Sequence, residues 1–165
     1  MHLGAPGTDK VRNVVLVGHG GAGKTSLAEA MLFLSGATKR LGTVDDGHSG
    51  LDYDSEEIKR KFSINLSMAP VVHDGVKINV IDTPGYADFV GDAIAGMEAA
   101  EMALFVVDAV AGPQVQTERL WKIAGDLGIT ESTVKCHVGV ILLRLNVTDR
   151  TQAAVVALQR GLAHL

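Results

Sequence analysis

Apolar positions in this chain fall into short runs whose period changes along its length. Val11 to Val17 is a compact apolar run ending in glycines, and it predicts a buried strand. Lys24 to Ser35 places Leu27, Ala28, Met31, Leu32 and Leu34 at helical spacing, with Gly36 as the stop. Leu66 to His73 and Val76 to Ile81 are two apolar-rich runs joined at Asp74-Gly75, the composition of a two-residue hairpin turn. Tyr86 to Glu101 returns to helical spacing through Phe89, Val90, Ala93, Ile94 and Met97. Met102 to Val107 predicts another buried strand, and Pro113 opens a helix running to Leu127. Residues 1–10 read as a frayed end. The order β-α-loop-β-β-α-β-α predicts an α/β fold, a three-layer domain with a mostly parallel sheet and one antiparallel pair.

Two stretches depart from this rhythm. Residues 37–66 are polar, glycine-dotted and dense in charge (Asp45, Asp46, Asp52, Asp54, Glu56, Glu57, Lys59, Arg60, Lys61). They predict a long loop, helical in part around Ser55 to Lys61, and its charge run reads most simply as a solvated face. Past Ile129 the pattern becomes wholly helical. Thr130-Glu131-Ser132-Thr133 has the hydroxyl cap and early acid of a helix start. Val134, Val138, Ile141, Leu142 and Leu145 follow on one stripe, Asn146 to Asp149 is a turn, and Ala153 to Leu158 suits a last helix. On pattern alone this is an amphipathic helical pair packing on itself.

Composition narrows the classes. The chain has 165 residues and a formal net charge of −4, which argues against nucleic-acid binding through bulk charge, although a local basic patch would escape that count. The single cysteine, Cys136, permits no intramolecular disulfide. No signal-like core opens the chain and no apolar run reaches the ~18 residues of a membrane span. A cytoplasmic protein with no membrane partner is expected. The histidines are scattered without metal-ligand spacing. Cys136 and His137 are helix neighbours that point apart, so they make no catalytic pair.

The chemistry sits at the first strand-helix junction. Gly18-His19-Gly20-Gly21-Ala22-Gly23-Lys24-Thr25 has the G-x-x-x-x-G-K-[ST] spacing of a phosphate-binding loop. Its glycines let backbone N–H groups converge on one anion, and the helix N-terminus adds its dipole. Residues His19 to Ser26 are thus candidate nucleotide-binding residues: His19, Gly20, Gly21, Ala22, Gly23, Lys24, Thr25 and Ser26. Lys24 is placed to neutralise β/γ oxygens and Thr25 to offer a hydroxyl to Mg²⁺. At the end of a later strand, Asp82 can reach the Mg²⁺ shell through water. Gly85 of Asp82-Thr83-Pro84-Gly85 can offer an N–H to a γ-phosphate.

Together with Val14-Val15-Leu16-Val17-Gly18-His19, Asp52-Tyr53, Glu56-Glu57 before Arg60, Ile81 to Phe89, and Val106-Val107-Asp108-Ala109, these residues resemble the translational GTPases of elongation-factor-G type, over residues 11–129. The resemblance implies GTP or GDP with Mg²⁺ as ligands, GTP hydrolysis as the reaction and the ribosome as a partner. It also implies roles at departures from the family pattern. The family's Mg²⁺-binding threonine follows Arg-Gly-Ile; here Arg60-Lys61-Phe62-Ser63 stands there, so Ser63 becomes the metal candidate and Lys61 replaces a glycine. The family's water-orienting histidine is Tyr86 here. Phenols titrate near ~10 and do not replace imidazole near neutral pH. Lys24 and Tyr86 are therefore the catalytic candidates for a GTPase of low activity, with Asp88 and His19 as substitutes for the missing imidazole. The family's guanine-reading Asn-Lys-x-Asp string is absent; Asn146-Val147-Thr148-Asp149 matches it in spacing only.

Thr130 to Val138, then Ile141-Leu142, Leu145 and Asp149 to Ala153, resemble the end of a LuxR-type helix-turn-helix domain, over residues 130–165. That implies a recognition helix from Glu131, with Thr133, Lys135 and His137 facing DNA phosphates or base edges. The sequence therefore reads as a chimera: a GTP-binding domain cut before its guanine-reading strand, joined to a helix-turn-helix remnant. Two alternatives stand beside the GTPase: a DNA-binding regulator with a relic phosphate loop, and an inactive truncated fusion.

Overall fold

The computed structural model describes residues 7–129, except 45 and 109. The helical pair expected beyond residue 130 and its DNA-facing candidates Thr133, Lys135 and His137 lie outside the described residues.

The elements are β1 (Val11–Val17), α1 (Lys24–Leu34), α2 (Ser55–Arg60), β2 (Ser67–His73), β3 (Val76–Asp82), α3 (Val90–Glu98), β4 (Met102–Phe105) and α4 (Val115–Asp126). The sheet has the order β2-β3-β1-β4. β1 runs parallel to β3 and to β4, while β2 and β3 form the antiparallel hairpin. This is the mostly parallel α/β sheet anticipated from the sequence. β1 shows why three layers form. Val15 and Val17 pack on one face with Ile81, Ala93, Met97, Leu120 and Ala124 of β3, α3 and α4. Leu16 points to the other face, with Ala28 and Leu32 of α1 and Ala69, Val71 and Val80 of the hairpin. Alternation along one strand thus feeds two cores, and each fully buried aliphatic side chain contributes about 1.5–3 kcal/mol.

The boundaries differ from expectation at informative places. α3 begins at Val90 instead of Tyr86, because Tyr86 keeps an extended backbone (ψ 147) and Ala87–Phe89 form a single 3₁₀ turn. β4 ends at Phe105, although the Val106 N–H still donates to the Val17 carbonyl at 2.8 Å. α4 starts at Val115, two residues past Pro113. The Asp74-Gly75 turn has positive φ at both residues (49 and 77), as a type I′ turn requires.

Pro70 sits opposite Asn79 in β2, a terminal strand of the sheet among the described residues. The two-residue turn makes His73 and Val76 a hydrogen-bonded pair. Alternation then leaves Pro70 and Asn79 in a non-hydrogen-bonded one, with the proline's missing N–H on the open side.

The segment from 37 to 66 is a long loop carrying the short α2, as expected, and Asp46, Glu56, Lys59, Arg60 and Lys61 of its charge run are exposed, whereas Asp52 and Glu57 are buried. Glu29 of α1 is buried and accepts from Ser49 Oγ (2.8 Å), Gly50 N (2.6 Å) and Leu51 N (3.2 Å). Glu57 of α2 is fully buried and accepts from Asp54 N (3.0 Å), Ile64 N (2.8 Å) and Asn65 N (2.8 Å). Asp54 completes a capping box with Glu57 at the start of α2. Each carboxylate thus supplies acceptors to backbone N–H groups that a helix or strand would otherwise satisfy.

Candidate functional site

The phosphate loop leaves β1 and enters α1 through Gly23, whose φ of 91 lies where a side chain is strained. Its first two residues are held from outside. A Cβ on Gly18 would collide with the Val106 carbonyl oxygen. The His19 side chain is buried, with Nδ1 3.2 Å from Thr117 Oγ1 of α4. Lys24 is buried as well; its ammonium donates to the carbonyls of Gly18 (3.1 Å) and His19 (2.9 Å). Burial lowers the Lys24 pKa, and the neighbouring Asp82 pushes it back up.

Beneath the loop runs a chain of oxygens. Thr25 Oγ1 donates to Asp82 Oδ2 at 2.7 Å, Ser63 Oγ donates to Asp52 Oδ1 at 2.7 Å, and the two hydroxyl oxygens lie 3.0 Å apart. Two hydroxyl hydrogens cannot serve three such contacts. The third needs either a proton on a carboxyl or a cation among the oxygens. Burial raises the Asp52 carboxyl against the Ser63 hydrogen bond, and burial lifts Asp82 to about 6 against the Thr25 hydrogen bond and the Lys24 charge. Asp82 Oδ1 is buried without a partner among the described residues. No group of three His, Cys, Asp or Glu among them is arranged for a metal. The set of hydroxyls plus a carboxylate suits Mg²⁺, a hard cation that takes few protein ligands and completes its shell with water and phosphate oxygens.

Above the loop is a pocket of about 230 Å³. Gly20, Gly21, Gly23, Lys24, Thr25 and Ser26 line one side; Val44, Lys61, Phe62 and Ser63 line another; Thr83, Gly85 and Tyr86 close the third. Gly85 lies so near the loop that a Cβ there would sit 2.5 Å from both Gly20 N and Lys24 Nζ. The Tyr86 ring covers Gly20, and its centroid is 4.6 Å from that of Phe62. Lys61, where the family places glycine, adopts the left-handed conformation (φ 58, ψ 40) as the C-cap of α2.

Most candidates named from sequence therefore meet at one place. Ala22 is in the loop but does not line the pocket. The His19 ring points to Thr117, leaving only its carbonyl on the Lys24 side. Asp82 acts beneath, through Thr25. The structure does not bring the two substitutes for the missing imidazole to the pocket: Asp88 is exposed and the His19 ring is turned away. Sequence reasoning missed Asp52, Phe62, Thr117, Glu29 and the burial of Glu57. Only Glu57 carried a readable signal, the D-x-x-E spacing of a capping box.

Residues 9–138 match the family model described as the elongation factor Tu GTP binding domain. An elongation factor G-like protein of Mycobacterium tuberculosis is 45% identical over 130 residues, covering 79% of this chain and 18% of that protein. A mitochondrial ribosome-releasing factor 2 of Debaryomyces hansenii is 41% identical over 121 residues, covering 73% of this chain and 14% of that protein. A solved protein of Thermus thermophilus superposes with a TM-score of 0.71 at 43% identity, over 73% of this chain and 18% of its own. The chain thus spans less than a fifth of the length of these relatives.

Proposed function

This chain belongs to the elongation factor Tu GTP-binding domain family, and from that premise we propose that it binds GTP and GDP with Mg²⁺ at the Gly18–Thr25 loop. The observation that carries the reading is the oxygen chain Asp52–Ser63–Thr25–Asp82 directly beneath the phosphate loop. Thr25 and Ser63 would hold Mg²⁺ directly and Asp82 through water. The bound ion supplies positive charge against the β/γ oxygens. Of the three Lys24 ammonium hydrogens, two donate to the carbonyls of Gly18 and His19, and the third is free for the same oxygens. Gly85 faces the loop closely enough for its N–H to meet a terminal phosphate, so its segment must shift when that phosphate arrives.

Hydrolysis is slow in this proposal. Tyr86 places a phenol and an aromatic contact with Phe62 where the family orients water with imidazole, and neither Asp88 nor the His19 ring faces the pocket. Ribosome association is proposed on the likeness to an elongation factor G-like protein and a ribosome-releasing factor. For residues 130–165 the helix-turn-helix reading rests on the string from Thr130 to Val138 with Ile141-Leu142, Leu145 and Asp149 to Ala153, and Thr133, Lys135 and His137 are its DNA-facing candidates. The family match ends at residue 138, within that segment.

Thermal-shift measurements with GTP, GDP and ATP, each with Mg²⁺, test the main reading. Guanine nucleotides should raise the unfolding midpoint. ATP belongs in the set because residues 1–165 contain no Asn-Lys-x-Asp string. No shift with any nucleotide at millimolar concentration would defeat the proposal.

A further inference from the structure

Thr117 lies outside every nucleotide-binding motif in the sequence, 98 residues from His19, yet the two side chains meet in the interior. His19 is 3% exposed and Thr117 5% exposed, so neither can exchange this contact for water. His19 thereby acts at two points. Its ring is tied to α4, and its carbonyl accepts the Lys24 ammonium at 2.9 Å.

The neighbouring geometry leaves this peptide little freedom. Gly18, just before it, is pressed against the Val106 carbonyl oxygen. On the α4 side, Leu120 and Ala124 follow Thr117 at helical spacing. Both are buried in the core that contains Val15 and Val17 of β1. Gly21 and Gly23, farther along the loop, are different: a Cβ on either would meet nothing within 4 Å. The loop is therefore clamped at its entry, by the Val106 carbonyl beside Gly18 and by Thr117 of α4 beside His19, and is unobstructed at Gly21 and Gly23.

We propose that Thr117 is a positioning residue for phosphate binding. Its hydroxyl orients the His19 imidazole, and that orientation holds the peptide whose carbonyl places the Lys24 ammonium. The inference deepens the nucleotide-binding reading and rests on it. A hydroxyl can donate to or accept from Nδ1, and because this one is held in the interior its pairing keeps the ring in one tautomer.

The test is titration of GTP–Mg²⁺ and GDP–Mg²⁺ into the full chain, well below the unfolding midpoint, for wild type, Thr117→Ser and Thr117→Val. Thr117→Ser keeps the hydroxyl and should bind within about twofold of wild type, whereas Thr117→Val leaves the ring unpaired and should bind about tenfold more weakly or worse. The imidazole ¹⁵N resonances of His19 should pass from a single-tautomer pattern to an averaged one in Thr117→Val. A Thr117→Val chain that melts earlier but binds with wild-type affinity overturns the inference, since Thr117 would then serve only stability. A wild type that binds neither nucleotide defeats the underlying reading, and this inference with it. If Thr117→Val does not fold, the wild-type spectrum decides. One tautomer whose Nδ1 signal moves on nucleotide addition supports the proposal; an averaged signal indifferent to nucleotide overturns it.

Discussion

The phosphate loop and the segment from 37 to 66 border the same pocket, but they are held in opposite ways. The loop is held by main chain and its surroundings: glycine conformations, the Val106 carbonyl, and Lys24 folded back onto the carbonyls of Gly18 and His19. The long segment has little regular structure apart from α2, and two buried carboxylates, Glu29 and Glu57, gather its N–H groups. The first arrangement depends on glycines and on a cation folded back onto main-chain carbonyls, the second on buried carboxylates. Substitution should therefore separate them: the loop loses function when its cation goes, and the segment loses order when an acceptor goes.

The largest effect expected is on ligand affinity. Lys24→Ala should weaken GTP–Mg²⁺ binding by about a hundredfold or more, since it removes a charge-assisted contact. It should also lower unliganded stability, by about 1–3 kcal/mol, since the carbonyls of Gly18 and His19 lose their donor. Calorimetric titration and a urea melt on the same variant separate the two. Glu57→Ala should come next, costing about 3 kcal/mol by stranding several buried N–H groups. Hydrogen exchange should then quicken at Asp54, Ile64 and Asn65 while the Leu27 amide, which donates to the Gly23 carbonyl of the phosphate loop, stays protected. Equal loss in both places would mean that the two regions are one cooperative unit, and the contrast would fall.

Two smaller effects sharpen it. Burial holds the Asp82 carboxyl at about 6, above its ordinary 3.8. Between those values the folded chain keeps a proton that the unfolded chain has released. Without Mg²⁺ and nucleotide, stability should therefore fall as pH rises from ~4 to ~6 and level off above. Asp82→Asn should flatten that fall by about 3 kcal/mol relative to wild type, read from urea midpoints across the range. Lys61→Gly should stabilise by about 0.5–1 kcal/mol, because Lys61 holds a left-handed conformation that glycine adopts freely. A loss of stability there would mean that the lysine side chain contributes more than its backbone costs.

The same contrast explains what could be read from the sequence. The phosphate loop was legible because its backbone geometry demands glycine, lysine and a hydroxyl at set spacing, which leaves a string. The strands and the hairpin were legible because β1 and the Asp74-Gly75 turn follow local rules. Glu29 was not, since on α1 it looks like any polar helix position, and its partners are backbone N–H groups that any sequence supplies. Glu57 was hidden in a charge run. The start of α3 was misplaced because the spacing of Phe89, Val90 and Ala93 extends back to Tyr86 on paper, whereas the backbone stays extended there beside the pocket. The His19–Thr117 contact follows from the packing of α4 and has no local sign.

Pro70 has a consequence for the protein at high concentration. β2 turns Met68 (57% exposed) and Val72 (53%) outward, an apolar strip beside a row of backbone groups unpaired among the described residues, which would invite a second chain to add as another strand. Pro70 interrupts that row between them, because one rung on the open side lacks a donor. The hairpin keeps its own pairing, while a strand adding at this edge would lack one rung of its ladder.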